Sequence, residues 1–94
     1  MLKPFLLAKK REIAMELIVH FFAAGRDIVG ASSLHITLPE PVTAQALLDY
    51  LKARYPQFAQ LRSLSVAVNE DYASPQQILQ ETDEIAIIPP VCGG

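Results

Sequence analysis

Residues 83–94 read DEIAIIPPVCGG, and this stretch decides the interpretation of the whole chain. After two acidic residues, apolar side chains alternate so that Ile85 and Ile87 share one face, as in a strand with one buried side. Pro89 and Pro90 end such a strand because neither has a backbone N–H to donate to a neighbouring strand. Two glycines, which have no side chain, close the stretch. It therefore predicts a last strand, at 81–88, that leads into a narrow, extended tail.

The predicted tail carries its candidate reactive group on the main chain. At about 3.3 Å per residue, an extended segment from Pro89 to Gly94 reaches roughly 20 Å, which is enough to enter the active site of a partner protein. The reactive group is then the carboxylate of Gly94. A frayed terminus without a function is the alternative interpretation. Cys92 is not expected to be a nucleophile, because no general base lies near it in the sequence.

Length and composition restrict the class of protein. A chain of 94 residues accommodates one domain. Its 8 basic and 10 acidic residues give a net charge of −2, without the basic patch that nucleic acid or an anionic membrane requires, so protein or small-molecule partners are expected. The single cysteine excludes an internal disulfide and indicates a cytoplasmic protein. No apolar run is long enough to cross a membrane, which predicts a soluble domain.

The first strand is predicted at 16–22, ELIVHFF, where β-branched and aromatic residues dominate. Its alternation produces two faces. The face expected in the core carries Leu17, Val19 and Phe21. The opposite face carries Ile18, His20 and Phe22, and it is either covered or an apolar contact surface.

The rest of the chain completes an α+β pattern. The further predicted elements are a short irregular or helical stretch at 23–33, a strand at 34–39, a helix at 44–55, a short turn at 57–62 and a strand at 64–68. Thr43 is the expected N-cap of the helix, Pro56 ends it, and Asn69 suits a turn. The order strand, strand, helix, strand, strand predicts one main helix packed on a mixed sheet. Residues 1–14 do not fit this pattern and are interpreted as an N-terminal extension of a domain at 15–94.

The polar residues do not predict a metal or cofactor site. His20 and His35 lack partners at the spacing of metal ligands. Asp83 and Glu84 are interpreted as a solvated turn. Because no glycine-rich loop precedes a helix, a phosphate site is not expected either.

Three stretches resemble the small subunits of molybdopterin synthase, a family of β-grasp, ubiquitin-like sulfur carriers. They are FFAAGRDIVG at 21–30, AVN at 67–69 and DEIAIIPPVCGG at 83–94. The resemblance extends over residues 15–94, and the ending Pro-Pro-Val-Cys-Gly-Gly is its most specific part. Thr82 stands where this family often has a turn glycine, which leaves the turn type before the last strand open.

The resemblance implies a cycle at the C-terminus. An adenylating enzyme, similar to ubiquitin-activating enzymes, uses ATP to convert the Gly94 carboxylate into an acyl-adenylate. A sulfur donor protein then supplies a persulfide, and a thiocarboxylate forms on Gly94. The large synthase subunit receives this group, and sulfur passes to cyclic pyranopterin monophosphate in a heterotetramer of two small and two large subunits. The chain itself is implied to be a non-catalytic, sulfur-donating subunit without a bound cofactor or metal.

The resemblance also assigns roles to individual residues. Gly94 bears the reactive group. Phe22 belongs to a partner-binding face. The residues of the partner-binding tail are Ile88, Pro89, Pro90, Val91, Cys92 and Gly93.

Three other functions remain open at this point. A thiamine-pathway sulfur carrier shares the fold and the Gly-Gly ending, although the double proline and the early Phe-Phe-Ala favour the molybdenum pathway. A ubiquitin-like protein modifier would join Gly94 to a lysine amine of a target protein. A binding module with a functionless tail predicts that removal of the two glycines changes nothing.

Overall fold

A five-stranded mixed sheet with one long helix forms the body of the protein, in a computed structural model that describes residues 13–61 and 63–90. In chain order the elements are β1 (Ala14–Phe21), α1 (Ala23–Val29), β2 (Ser33–Pro39), α2 (Ala44–Arg54), a 3-10 helix (Pro56–Gln60), β3 (Ser65–Val68), β4 (Asp71–Tyr72) and β5 (Ile85–Ile88). The predicted α+β class is confirmed. The structure adds two short elements that the sequence pattern did not predict, the 3-10 helix and β4, and the stretch predicted as irregular or helical contains α1. The last strand, predicted at 81–88, begins only at Ile85.

The sheet places the last strand at its centre. The strand order is β2-β1-β5-β3-β4. β1 pairs with β2 in antiparallel register and with β5 in parallel register, so that His20 lies opposite Ala86. β5 in turn pairs antiparallel with β3, and Ser65 lies opposite Ile88. The first and last strands of the chain are therefore direct neighbours.

One apolar core lies between the sheet and α2. The alternation predicted for β1 is confirmed, because Leu17, Val19 and Phe21 are buried while the residues between them are exposed or half-buried. The helix contributes the buried side chains of Leu47 and Leu51. The largest fully buried side chains are Phe21, Phe58, Leu17, Leu47, Leu51, Leu79, Ile85, Ile87, Val19 and Val42.

An aromatic group closes one end of this core. The ring of Phe58, carried by the 3-10 helix, stacks on Phe21 at a centroid distance of 6.3 Å. Tyr55 meets Phe58 edge to face at 6.1 Å. Both arrangements are ones that aromatic rings favour. The stretch interpreted as a simple turn thus supplies one of the main core residues.

The N-terminus of α2 is capped as predicted. The Oγ1 of Thr43 accepts a hydrogen bond of 3.0 Å from the backbone N–H of Ala46. Such a cap satisfies one of the amides that the first turn of a helix leaves free. The helix ends at Arg54, two residues before Pro56.

Replacing Thr43 with Ala is expected to lower the free energy of unfolding by about 1 kcal/mol, because the capping oxygen is lost. Urea denaturation followed by circular dichroism measures this change as a lower midpoint with an unchanged slope. Thr43→Ser is the matched control, since it keeps the oxygen, and it should stay close to the wild type. Equal stability of the Ala and Ser variants would contradict the capping role.

The turn at Asn69 ties the β3–β4 hairpin to the start of β5. Asn69 has a φ of 53°, as expected for a residue that tolerates the left-handed region. Its Nδ2 donates to Oδ1 of Asp83 (3.0 Å), and its Oδ1 accepts from the backbone N–H of Glu84 (2.9 Å). The second carboxylate oxygen of Asp83 accepts from the N–H of Gln80 (2.8 Å). Asp83 therefore has the turn role that the sequence predicted.

The remaining predictions concern the chain's beginning and the turn before β5. β1 begins at Ala14, the last residue of the stretch assigned to the extension, and residues 1–12 lie outside the described part. Thr82 does not adopt a positive φ, so its turn does not require the glycine common in similar sequences.

Among the described residues, no helix has the length and apolar character that a membrane crossing needs.

Candidate functional site

The tail begins at the centre of the sheet. β5 ends at Ile88, and Pro89 and Pro90 follow outside any strand, which confirms where the prolines end the pairing. All three residues are half-buried. Because β5 lies between β1 and β3, the chain leaves the sheet from its middle. The other predicted tail residues, Val91, Cys92, Gly93 and Gly94, lie outside the described residues.

Phe22 stands exposed beside this exit. It follows the last residue of β1, and its side chain is 50% exposed. Its carbonyl accepts from the N–H of Gly25 at 3.0 Å, which anchors it to the first turn of α1. The next residue, Ala23, has a φ of 50°, a conformation that costs an L-residue about 1–2 kcal/mol. The tight turn from strand to helix thus holds the Phe22 ring on the outer side of the sheet.

The face of the sheet opposite α2 contains a groove of about 410 Å³. The cross-strand register explains its shape. His20, Ala86, Ala67 and Tyr72 form one row across β1, β5, β3 and β4. The two small alanines in the middle form a low floor, and the larger side chains at each end of the row form the walls.

The two ends of the groove differ in chemistry. Phe22 and Ile88 line the end where the tail begins. At the other end, the lining residues are Glu70 and Glu84. An apolar surface of this kind, open along one side and bordered by polar groups, is typical of a protein contact site. The geometry therefore places an exposed apolar groove directly beside the residues where the tail begins.

The two histidines have separate positions. His20 lines the groove, whereas His35 lies on β2, with its Nε2 3.4 Å from Oε1 of Glu16. Both members of that pair have 64% exposed side chains, so it is a surface contact of small energetic weight. Within residues 13–61 and 63–90, no cluster of three or more His, Cys, Asp or Glu is arranged to hold a metal ion.

Phe22 and Ile88 could be predicted from the sequence, whereas most of the groove could not. Ala67 and Ala86 carry no chemical signal of their own, and their importance comes from the register that sets them side by side. Tyr72 lies on a two-residue strand, too short to show alternation. The one signal that could have pointed to a low floor is the position of an alanine between the inward-facing residues of each of these two apolar strands.

Comparison with known proteins shows the family to which this chain belongs. The model of the ThiS family matches residues 19–94. The molybdopterin synthase sulfur carrier subunit of Arabidopsis thaliana is 39% identical over 82 residues, covering 86% of this chain and 85% of that protein. The protein of the same name from Dictyostelium discoideum is 42% identical over 77 residues, covering 78% and 90% of the two chains.

A solved structure shows the same fold. The putative molybdopterin converting factor, subunit 1, of Pyrococcus furiosus superposes with a TM-score of 0.74 at 27% identity, over 82% of this chain and 99% of that one. The predicted β-grasp architecture is therefore confirmed. With the family match extending through the tail, this chain belongs to the ThiS family and, within it, to the group that includes the molybdopterin synthase sulfur carrier subunits.

Proposed function

We propose that this protein is the sulfur carrier subunit of a molybdopterin synthase and that its C-terminal glycine carries the sulfur. The observation that carries the proposal is that Pro89 and Pro90, the first residues of the sequence Pro-Pro-Val-Cys-Gly-Gly, follow the central strand of the sheet directly beside an exposed apolar groove. The names of relatives that are 39% and 42% identical support it. In this arrangement the groove contacts the partner protein, and the tail extends into the active site of that partner.

Activation of Gly94 requires an adenylating enzyme with ATP. A carboxylate resists nucleophilic attack until one of its oxygens becomes part of a good leaving group. Attack of the Gly94 carboxylate on the α-phosphate of ATP releases pyrophosphate and produces an acyl-adenylate. The terminal sulfur of a donor persulfide then displaces AMP, and a thiol cleaves the resulting acyl disulfide to leave the thiocarboxylate.

Transfer of the sulfur occurs in the large synthase subunit. The thiocarboxylate sulfur attacks cyclic pyranopterin monophosphate and replaces a carbon–oxygen bond of the precursor by a carbon–sulfur bond. Water then cleaves the bond between this sulfur and the Gly94 carbonyl, which restores the Gly94 carboxylate. Two such deliveries build the dithiolene of molybdopterin in a heterotetramer of two small and two large subunits. Gly93 and Gly94 suit a narrow channel because they have no side chains. The two prolines restrict the start of the tail, which lowers the conformational entropy lost when the tail is inserted.

The outer face of the sheet, opposite α2, provides the surface that contacts the partner proteins. Phe22 and Ile88 lie at the tail end of the groove, where a partner that receives the tail must make contact. Burial of an exposed aromatic ring is among the larger contributions to protein association. Both the adenylating enzyme and the large subunit need access to Gly94, so these partners use the surface in succession.

The proposal is tested by the intact mass of the protein. After incubation with ATP, a persulfide donor and the cognate adenylating enzyme, the mass is expected to increase by the exchange of one oxygen for sulfur, located at Gly94 by fragmentation. Addition of the large subunit and the pterin precursor should reverse the increase as molybdopterin forms. Omission of ATP is the control and should leave the mass unchanged.

Other outcomes separate the remaining candidates. A mass increase that persists with the precursor and large subunit would contradict the molybdopterin role and favour the thiamine pathway. A covalent conjugate between Gly94 and lysine amines of other proteins would identify a modifier. No change of mass under any condition would leave a binding module with an inert tail.

A further inference from the structure

Two carboxylates line the acidic end of the groove, and no basic side chain of residues 13–61 and 63–90 forms an ion pair with them. Glu70 and Glu84 both line the groove and are exposed. Within the described residues, the one contact between a basic and an acidic side chain joins His35 and Glu16, which lie elsewhere. The groove therefore presents two negative charges beside an apolar floor, and neither is neutralised by a described side chain.

The backbone at Glu70 supports a role for its side chain. Asn69 and Glu70 form the two-residue connection between β3 and β4, and both have positive φ, 53° and 75°. In such hairpin turns the second position favours glycine, since side chains make the left-handed conformation strained. A glutamate at this position retains strain and places a carboxylate at the groove. Strain of this kind is concentrated at functional positions.

The two carboxylates are held on connected backbone. The N–H of Asn69 donates to the carbonyl of Glu84 at 2.8 Å, and the N–H of Glu84 donates to Oδ1 of Asn69 at 2.9 Å. This double contact fixes the hairpin turn against the residue that precedes β5. Little backbone order is then lost when a cation binds between the two side chains.

We propose that Glu70 and Glu84 together bind one Lys or Arg side chain of the large synthase subunit, whose adjacent apolar residues cover Ala67 and Ala86. This inference rests on the proposed function. The chemistry of the partner follows from complementarity, because an apolar floor with two free carboxylates at one end matches an apolar patch with a cation at its edge. The four residue steps from Glu84, which precedes β5, to Ile88 at its end extend about 13 Å at about 3.3 Å per step. The cation therefore lies about 13 Å from the start of the tail, and it fixes the direction in which the tail enters.

The test measures binding of the full-length chain to the cognate large subunit at several salt concentrations. The double variant E70Q/E84Q is expected to bind roughly tenfold more weakly at low salt, and its affinity should depend less on salt than that of the wild type. The charge reversal E70K/E84K is expected to weaken binding roughly a hundredfold. The control is E40Q/D49N, which removes the same charge from exposed positions outside the groove and should bind like the wild type.

The outcomes distinguish this inference from the proposed function. If E70Q/E84Q accepts and delivers sulfur and binds with the affinity and salt dependence of the wild type, the inference is wrong while the sulfur carrier role stands. If the wild type does not bind the large subunit, both are wrong. Self-association of the chain that the same substitutions abolish would assign the groove to a second copy and overturn the proposal. Circular dichroism of each variant verifies that the fold is retained.

Discussion

Deletion of Gly93 and Gly94 is expected to abolish sulfur transfer while leaving the fold intact. The described core ends with β5 at Ile88, so loss of the last two residues removes none of its buried side chains. The shortened chain ends on Cys92, whose carboxylate carries a side chain and lies about 7 Å short of the position that Gly94 reaches. Because the reacting atom must sit within about 3.5 Å of its target, such a displacement eliminates the reaction.

Intact mass after ATP-dependent sulfuration and synthesis of molybdopterin with the large subunit measure this effect. Thermal unfolding should give the same midpoint as the wild type. Cys92→Ala is the matched control, since it changes the tail without moving Gly94, and it is expected to retain full sulfur transfer. A shortened chain that still supports molybdopterin formation would show that the terminal glycine is not the carrier.

Replacement of Phe58 with Ala is expected to lower the free energy of unfolding by about 3–5 kcal/mol. Phe58 is 1% exposed, and its ring contacts Phe21 on β1 and Tyr55 next to α2. The substitution removes the burial of a large apolar side chain and leaves a cavity between three elements. A loss of this size is a large fraction of the stability of a small domain.

Urea denaturation quantifies this loss. Phe22→Ala is the matched control because it makes the same chemical change at a side chain that is 50% exposed. It is expected to cost about 1 kcal/mol or less in stability and to act instead on partner binding. Equal destabilisation by the two substitutions would mean that Phe58 is not part of the core.

The sequence predicted those parts of the fold that depend on local pattern. Alternation in ELIVHFF located β1 and its buried face, and Thr43 and Pro56 located the ends of α2. The 3-10 helix was missed because its single buried residue, Phe58, produces no periodicity. The strand β4 was also missed, because two residues are too few to show alternation and the strand is defined only by its pairing with β3.

Within the candidate site, too, only the part that depends on local sequence could be predicted. The tail could be predicted because its residues act through properties that need no tertiary structure: fixed φ in proline and a missing side chain in glycine. The groove could not, since its floor arises where Ala67 and Ala86 meet across two strands that are 15 or more residues apart in the chain. The acidic end was interpreted as a solvated turn. Asp83 has that role, whereas the neighbouring Glu84 lines the groove.

The central position of β5 has a consequence for how the protein is made. During synthesis, β1, β2, β3 and β4 leave the ribosome before the strand that must lie between β1 and β3. Until β5 emerges, the sheet consists of two separate hairpins, and its long-range pairing cannot form. A chain interrupted before Ile85 therefore lacks the strand that joins the two hairpins into one sheet. Only a chain translated through its last strand can therefore form the complete sheet from which the tail begins.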